Sequence, residues 1–298
     1  MDIRLLATLD DFRRVVALEQ EVWGLTGADD VVTVPVLVAS VRVGASLHGA
    51  FDETGALVGF AYALPGWFDG RLVMWSHAAG VRAGERRSGI GVALKRAQRE
   101  YALSRGVDLM VWTYDPLMVQ NAHFNFNRLG VVVHEYERNV YGTSASPLHA
   151  GAPTDRFVAR WWLRDPRVEA RLTAMSEGPA RREATSGDSP DPIARASAGA
   201  AASERGADAV TVNDVVERGG WLAPGRVRRD AGADRLNVII PPDFDRMLRD
   251  APDLAREWRL HSRDVFETYF TRGYRAIGFT RSADGGGVYH LAAGPAAP

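Results

Sequence analysis

Val81-Arg82-Ala83-Gly84-Glu85-Arg86-Arg87-Ser88-Gly89-Ile90-Gly91 joins a strand-like run, RLVMWSHAAGV (71–81), to a helix-like run, VALKRAQREYALSRG (92–106). Two glycines two apart let backbone approach a ligand closely and expose consecutive N–H groups. At a helix N-terminus those groups and the helix dipole favour an anion. Arg86 and Arg87 stand at the same end, where cations are disfavoured unless something negative joins them. A pyrophosphate satisfies donors, dipole and arginines together. A plain surface turn could carry the same glycines, but the strand before and the helix after weigh against it. A P-loop is excluded, because Lys95 is not placed as Gly-x-x-x-x-Gly-Lys-Ser/Thr requires. A dinucleotide fingerprint is excluded as well, because it reads Gly-x-Gly-x-x-Gly and the order here is Arg-x-x-Gly-x-Gly.

The run continues with a strand pattern, VDLMVWTYD (107–115), a helix pattern, PLMVQNAHFNFNRLG (116–130), and another strand, VVVHEYERNVYG (131–142). With the Arg-x-x-Gly-x-Gly turn, the early Asn-Ala of that helix and its "RLG" end, the chain resembles the GNAT N-acetyltransferase superfamily. PTDRFVARWWL (153–163) extends the likeness to a subgroup with a C-terminal extension, so that it covers roughly residues 1–170. The resemblance implies an α/β (α+β) fold with a mixed central β-sheet flanked by helices, and a smaller C-terminal α/β half resembling a partial GNAT core.

Upstream, DDFRRVVALEQEVWG (10–24) has apolar residues at helical spacing, with Asp10 or Asp11 as cap and Gly24 as stop. PVLVASVRVG (35–44) reads as a second helix. Residues 46–81 read as three strands with turns at Asp52–Gly55 and Pro65–Gly70. DRFVARWWL (155–163) is a strand and RVEARLTAM (167–175) a short helix. Residues 176–208 are rich in Ser, Ala, Gly, Pro and charge and too poor in large apolar residues to order themselves. The expected organisation is therefore a catalytic domain over 1–175, a linker or insertion over 176–208, and an α/β domain over 209–298 packed on the first. Within the last part, 209–216 and 235–242 read as ordered, 244–273 as helix-rich, and 274–281 with 287–293 as a hairpin. Leu254, Trp258, Val265, Phe266, Tyr269 and Phe270 share one helix face. No second Arg-x-x-Gly-x-Gly occurs, so this half should lack its own coenzyme A loop.

The 298 residues carry a formal net charge of −1, which suggests neither nucleic acid nor an anionic membrane as partner. Cysteine is absent, which rules out disulfides, thiolate metal sites and an acyl-cysteine intermediate. Lys95 is the only lysine. No apolar run reaches the ~18 residues of a membrane span, and the acidic first dozen residues do not read as a secretory signal. The expectation is a cytoplasmic enzyme without a metal, acting on a small-molecule amine, with a homodimer left open.

The resemblance implies a thioester held between two splayed parallel strands and attacked directly by the amine in a ternary complex. It assigns the Val81 N–H to the thioester carbonyl, and Arg86, Arg87, Ser88, Gly89, Ile90 and Gly91 to the pyrophosphate. Asn121 reads equally as a neighbour of the pantetheine arm or as a plain helix N-cap. Strand alternation places residues 75, 77, 79 and 81 on one side, and makes His77 the preferred general base. Some histone-acetylating relatives carry a glutamate where this chain has Trp75. The family's thiolate acid is a tyrosine; its position is Phe126, which the resemblance places among the coenzyme A-binding residues but which cannot donate a proton. Tyr114 and His123 are the alternatives. Glu21 and Trp23 lie where relatives often bind acceptors. The cosubstrate implied is acetyl-CoA, or another acyl-CoA such as succinyl-CoA. A second reading, a non-catalytic acyl-CoA-binding regulatory module, follows from Phe126.

Overall fold

A computed structural model describes residues 1–25, 31–86, 88–142, 153–176 and 208–294. The expected linker therefore lies almost wholly outside the described residues, as does Arg87. The described residues form two compact units, one from residues 1–112 with 162–164, the other from residues 113–161 and 165–294.

In the first unit β1 (Asp2–Leu5), β2 (Ser46–Phe51), β3 (Leu57–Phe68) and β4 (Arg71–Val81) pair antiparallel in chain order. Helices α1 (Leu9–Trp23) and α2 (Val34–Arg42) cover one face of this sheet, burying Phe12, Val15, Leu18 and Leu37 against Leu47, Phe60 and Tyr62. Helix α3 (Ile90–Ser104) covers the other, setting Ile90 and Leu94 against Val58 and Ala61. After α3 the chain enters β5 (Leu109–Tyr114), which runs parallel to β4 and pairs with it at Met74–Met110 and Trp75–Val111.

Two local expectations change. The cap of α1 is Thr8: its hydroxyl accepts from the Asp11 N–H and Asp11 accepts from the Thr8 N–H, a reciprocal box in which Asp11 is the third helical residue. Gly24 stops the helix as expected, at φ +65°. The second hairpin turn is only Asp69–Gly70, both at positive φ, and β3 runs through Pro65 to Phe68. Pro65 is tolerated because β2 stops pairing at Ala63, so no β2 carbonyl is left waiting for the N–H that proline lacks.

The second unit holds strands β6 (Val132–Glu137), β7 (Arg156–Trp162), β8 (Val210–Thr211), β9 (Asn213–Arg218), β10 (Trp221–Val227), β11 (Arg235–Ile240), β12 (Tyr274–Arg281) and β13 (Gly287–Ala293). Their order is β7-β6-β12-β13-β11-β8, with β9 and β10 as a separate hairpin. The β12–β13 hairpin forms as the sequence suggested; β10 went unread because Pro224 and Gly225 break its pattern. The helix expected over 116–130 starts later, as α4 (Val119–His123), because Asp115 ties the Leu117 N–H into a turn. It then widens into a π-helical turn (Phe124–Leu129) that ends on left-handed Gly130. Helices α5 (Pro166–Ser176), α6 (Phe244–Asp250) and α7 (Pro252–Thr271) complete this unit.

Helix α7 carries Trp258, Val265, Phe266 and Tyr269 into the core. It also buries Arg259, which donates to Asp115 at 2.7 Å, while Arg263 grips Asp155 through two 2.9 Å bonds. Tyr136 donates to the same Asp155 at 2.8 Å. No helix among the described residues is long and apolar enough to cross a membrane.

Candidate functional site

The site in the first unit is a fork. Beyond Trp75–Val111, β4 continues to Val81 with no further pairing to β5. The Arg82 N–H donates to the Val58 carbonyl at 2.9 Å, so Gly59–Val81 is a non-hydrogen-bonded pair of the antiparallel ladder. The Val81 N–H therefore points away from β3, towards the open side of the fork. Alternation gives Ala79 the same direction.

Next comes a single tight turn, Ala83–Glu85, in which Ser88 Oγ donates to the Glu85 carbonyl at 2.6 Å. Arg86 Nε returns to the Val81 carbonyl at 3.2 Å. Gly89 caps α3 at φ +90°, a conformation that costs an L-side chain about 1–2 kcal/mol. It offers no side-chain cap, and the first helical bond runs from the Ala93 N–H to the Gly89 carbonyl. The N–H groups of Ile90, Gly91 and Val92 are left without helical partners, just after the exposed Ser88 and Gly89. Those donors, with Arg86 beside them, suit an anion.

Strand alternation fails at His77. Tyr62 pairs with Ala78 and Ala63 with Ser76, so His77 is an inserted residue, a β-bulge. The shared side expected for residues 75, 77, 79 and 81 does not exist. Trp75 pairs with Leu64 on the α1–α2 face, whereas Val81 packs with Ile90 and Leu94 on the α3 face. His77 lies on the α1–α2 face, edge-on to Tyr62 with centroids 5.8 Å apart. Its residue surface is open to solvent, yet enough protein surrounds the ring to desolvate the imidazolium and lower its pKa.

Two neighbours on that face were not singled out from the sequence. Tyr62 donates to Ser40 Oγ at 2.7 Å. Glu19, 4% exposed, accepts from the Val32 N–H at 3.1 Å and from no other group among the described residues, and its pKa rises to about 7 through burial, the backbone bond acting the other way. The signal lay in the spacing: Glu19 follows Leu18 and Val15 on the apolar stripe. Glu21 instead pairs with Arg82 at 2.7 Å at the rim of an open cavity of about 370 Å³ between α1 and the Thr54–Leu57 turn. Trp23 packs on Phe60.

Glu19 makes a pH test of this face. The fold holds its proton between pH 4.5 and about 7, where the unfolded chain has lost it. Stability is thus present at low pH and declines as pH rises through that window, by about 2–3 kcal/mol. Glu19→Gln should remove this decline and be the more stable protein at pH 8. Urea denaturation at pH 5 and pH 8 measures it.

In the second unit, Asn121 is exposed and sits third in α4, behind Met118 at the cap, so it is not the N-cap. Phe126 is fully buried in the π-turn, edge-on to Tyr289 at 5.6 Å. Tyr114 is buried between Phe157 and Tyr289; burial raises its pKa well above 10, which makes it a poor acid. His123 falls to about 4 through burial and the nearby Arg281 and Arg128. No cluster of three or more metal-ligating side chains occurs among the described residues.

The chain is similar in fold to GNAT-family acetyltransferases of known structure. A GNAT-family protein from Desulfovibrio desulfuricans is 15% identical with a TM-score of 0.43, over 54% of this chain and 98% of that one. For yncA of Salmonella typhimurium, solved with its cofactor acetyl-CoA, the figures are 18%, 0.45, 64% and 98%. For Naa20 of Chaetomium thermophilum, in complex with a bisubstrate analogue, they are 14%, 0.44, 54% and 85%. No family model matches the sequence, and no curated protein matches it either.

Proposed function

We propose that this chain is a GNAT-type N-acyltransferase that moves an acetyl group from coenzyme A to the amine of a small molecule, by direct attack. The carrying observation is the left-handed Gly89 at the head of α3, where the first helical N–H groups have no side-chain cap among the described residues, following a strand that has left its neighbour. In this reading Arg86 through Gly91 hold the pyrophosphate, and the Val81 N–H, or that of Ala79, polarises the thioester carbonyl. His77, neutral at pH 7, takes the proton of the attacking amine. A homodimer and a cytoplasmic setting fit the same reading.

Gly89→Val places a β-branched side chain in a left-handed conformation, at the spot a diphosphate would approach. Acetyl-CoA affinity should fall at least about tenfold, the worth of one charge-assisted bond of about 1.5 kcal/mol. Calorimetric titration against the melting temperature separates this loss from destabilisation. The rival reading, an acyl-CoA-binding module without turnover, draws on Phe126, whose buried ring offers no acid. Thiol release from acetyl-CoA across a panel of amines decides between the two: binding without release under any amine supports the module.

A further inference from the structure

Lys95, the only lysine in the chain, takes no part in the function proposed above, and it is 5% exposed. It projects from α3 to the crotch of the fork. Its Nζ lies 2.6 Å from Ser76 Oγ, on the β4 residue just past the last β4–β5 pair. It also stands 4.2 Å from the ring centroid of Trp112, the corresponding residue of β5. Gln98, one helical turn on, is fully buried; its Oε1 lies 3.4 Å from the same Ser76 hydroxyl, and its Nε2 has no partner among the described residues. A buried amide N–H₂ without an acceptor is costly and rare enough to call for one.

We propose that Ser76, Lys95 and Gln98 form an acyl-serine centre that gives the protein a second, amine-independent activity, hydrolysis of the acyl thioester. It rests on the acyl-CoA reading only for the delivery of that thioester into the fork. The neutral Lys95 amine takes the Ser76 hydroxyl proton as Oγ bonds to the thioester carbonyl carbon. Gln98 Nε2 donates to the resulting oxyanion. The C–S bond then breaks, and the Lys95 ammonium returns its proton to the departing thiolate. In the second half Lys95 takes a proton from water, the hydroxide adds to the ester carbonyl, and the C–Oγ bond breaks. Ser76 recovers its proton, and a carboxylic acid leaves and ionises. The sum is thioester plus water to acid plus thiol, with no other reactant. A lysine activating a serine is a known variant of the nucleophile–base pair.

Burial supports the assignment by lowering Lys95 to about 7, so that a large share is free amine near neutrality. Ser76 on β4, Trp112 on β5 and Gln98 on α3 add no charge of their own, and burial is the only cause of the shift. The rate should therefore rise as pH increases through about 7 and then level.

The test is incubation of the full chain with acetyl-CoA and no amine, and in parallel with p-nitrophenyl acetate, which needs no pyrophosphate loop. Steady release of thiol and nitrophenol is expected, with an acetyl adduct on the Ser76 peptide that alkaline hydroxylamine removes. Ser76→Ala should lower both releases at least about 100-fold while circular dichroism and melting temperature show it folded. Lys95→Gln should abolish the rise near pH 7. If acetyl-CoA fails to bind while p-nitrophenyl acetate still gives a Ser76-dependent adduct, the coenzyme A reading falls and this centre stands. Three results overturn the centre: no release from either ester, equal release by Ser76→Ala, or a hydroxylamine-resistant adduct on Lys95.

Discussion

Replacing His77 by alanine is expected to slow amine-dependent acyl transfer by about 10²–10⁴-fold, the range over which a positioned general base acts. Acetyl-CoA affinity should hold within a factor of two, because nothing in the helix-terminal loop depends on the imidazole. Bulge geometry gives the reason for so large an effect. As an inserted residue His77 is excused from the ladder and turned to the α1–α2 face beside Tyr62. Only the free-base form accepts a proton, and burial lowers the pKa. Activity in the native protein should therefore stay flat around neutrality and fall on acidification, with a midpoint below the ordinary imidazole value near 6.5. A pre-steady-state rate that falls no more than twofold in His77→Ala, or a midpoint above 7, removes His77 from the role.

The second large effect concerns stability. Arg259→Leu should destabilise the chain by about 3–5 kcal/mol, because it strips the largely enclosed Asp115 carboxylate of its main partner, the fully buried Arg259 guanidinium. Arg156, 3.5 Å away, is too distant to replace the direct bonds. Burial pushes the Asp115 pKa up, but Arg259 and Arg156 more than offset it and hold the group ionised, so it cannot escape by protonation at pH 7. Asp115→Leu should cost a similar amount. The double variant Asp115→Leu/Arg259→Leu should cost clearly less than the sum of the two, since an apolar pair of matching size avoids the desolvation of both charges. Urea midpoints for the four proteins close the cycle. Additive losses would mean that the two groups act separately.

The elements that could be read from the sequence were those whose signal is local. The glycine turn, the three strands of 46–81 and the C-terminal hairpin carry their own periodicity or turn residues, and they stand where expected. The failures share a cause: each was decided by a partner distant in the chain. A two-fold repeat cannot reveal a one-residue bulge, because the extra residue shows itself only against the register of β3. Nor could the sequence separate Glu19 from Glu21, two carboxylates on one helix, of which one faces the core and the other finds Arg82 sixty-one residues on. Arg259 and Arg263 had no role legible in the sequence, because their partners, Asp115 and Asp155, lie more than a hundred residues back in the chain. Tyr114 and His123 were candidates by chemistry alone, and packing withdrew the first from solvent.

A chain whose single ε-amine lies beneath a helix offers amine-specific reagents a narrow approach. An acylating label too bulky to enter the fork should leave that lysine unmarked for as long as α3 remains seated. Modification of Lys95 by such a label then reports a transient departure of the helix, with the α-amino group of Met1 as the internal reference.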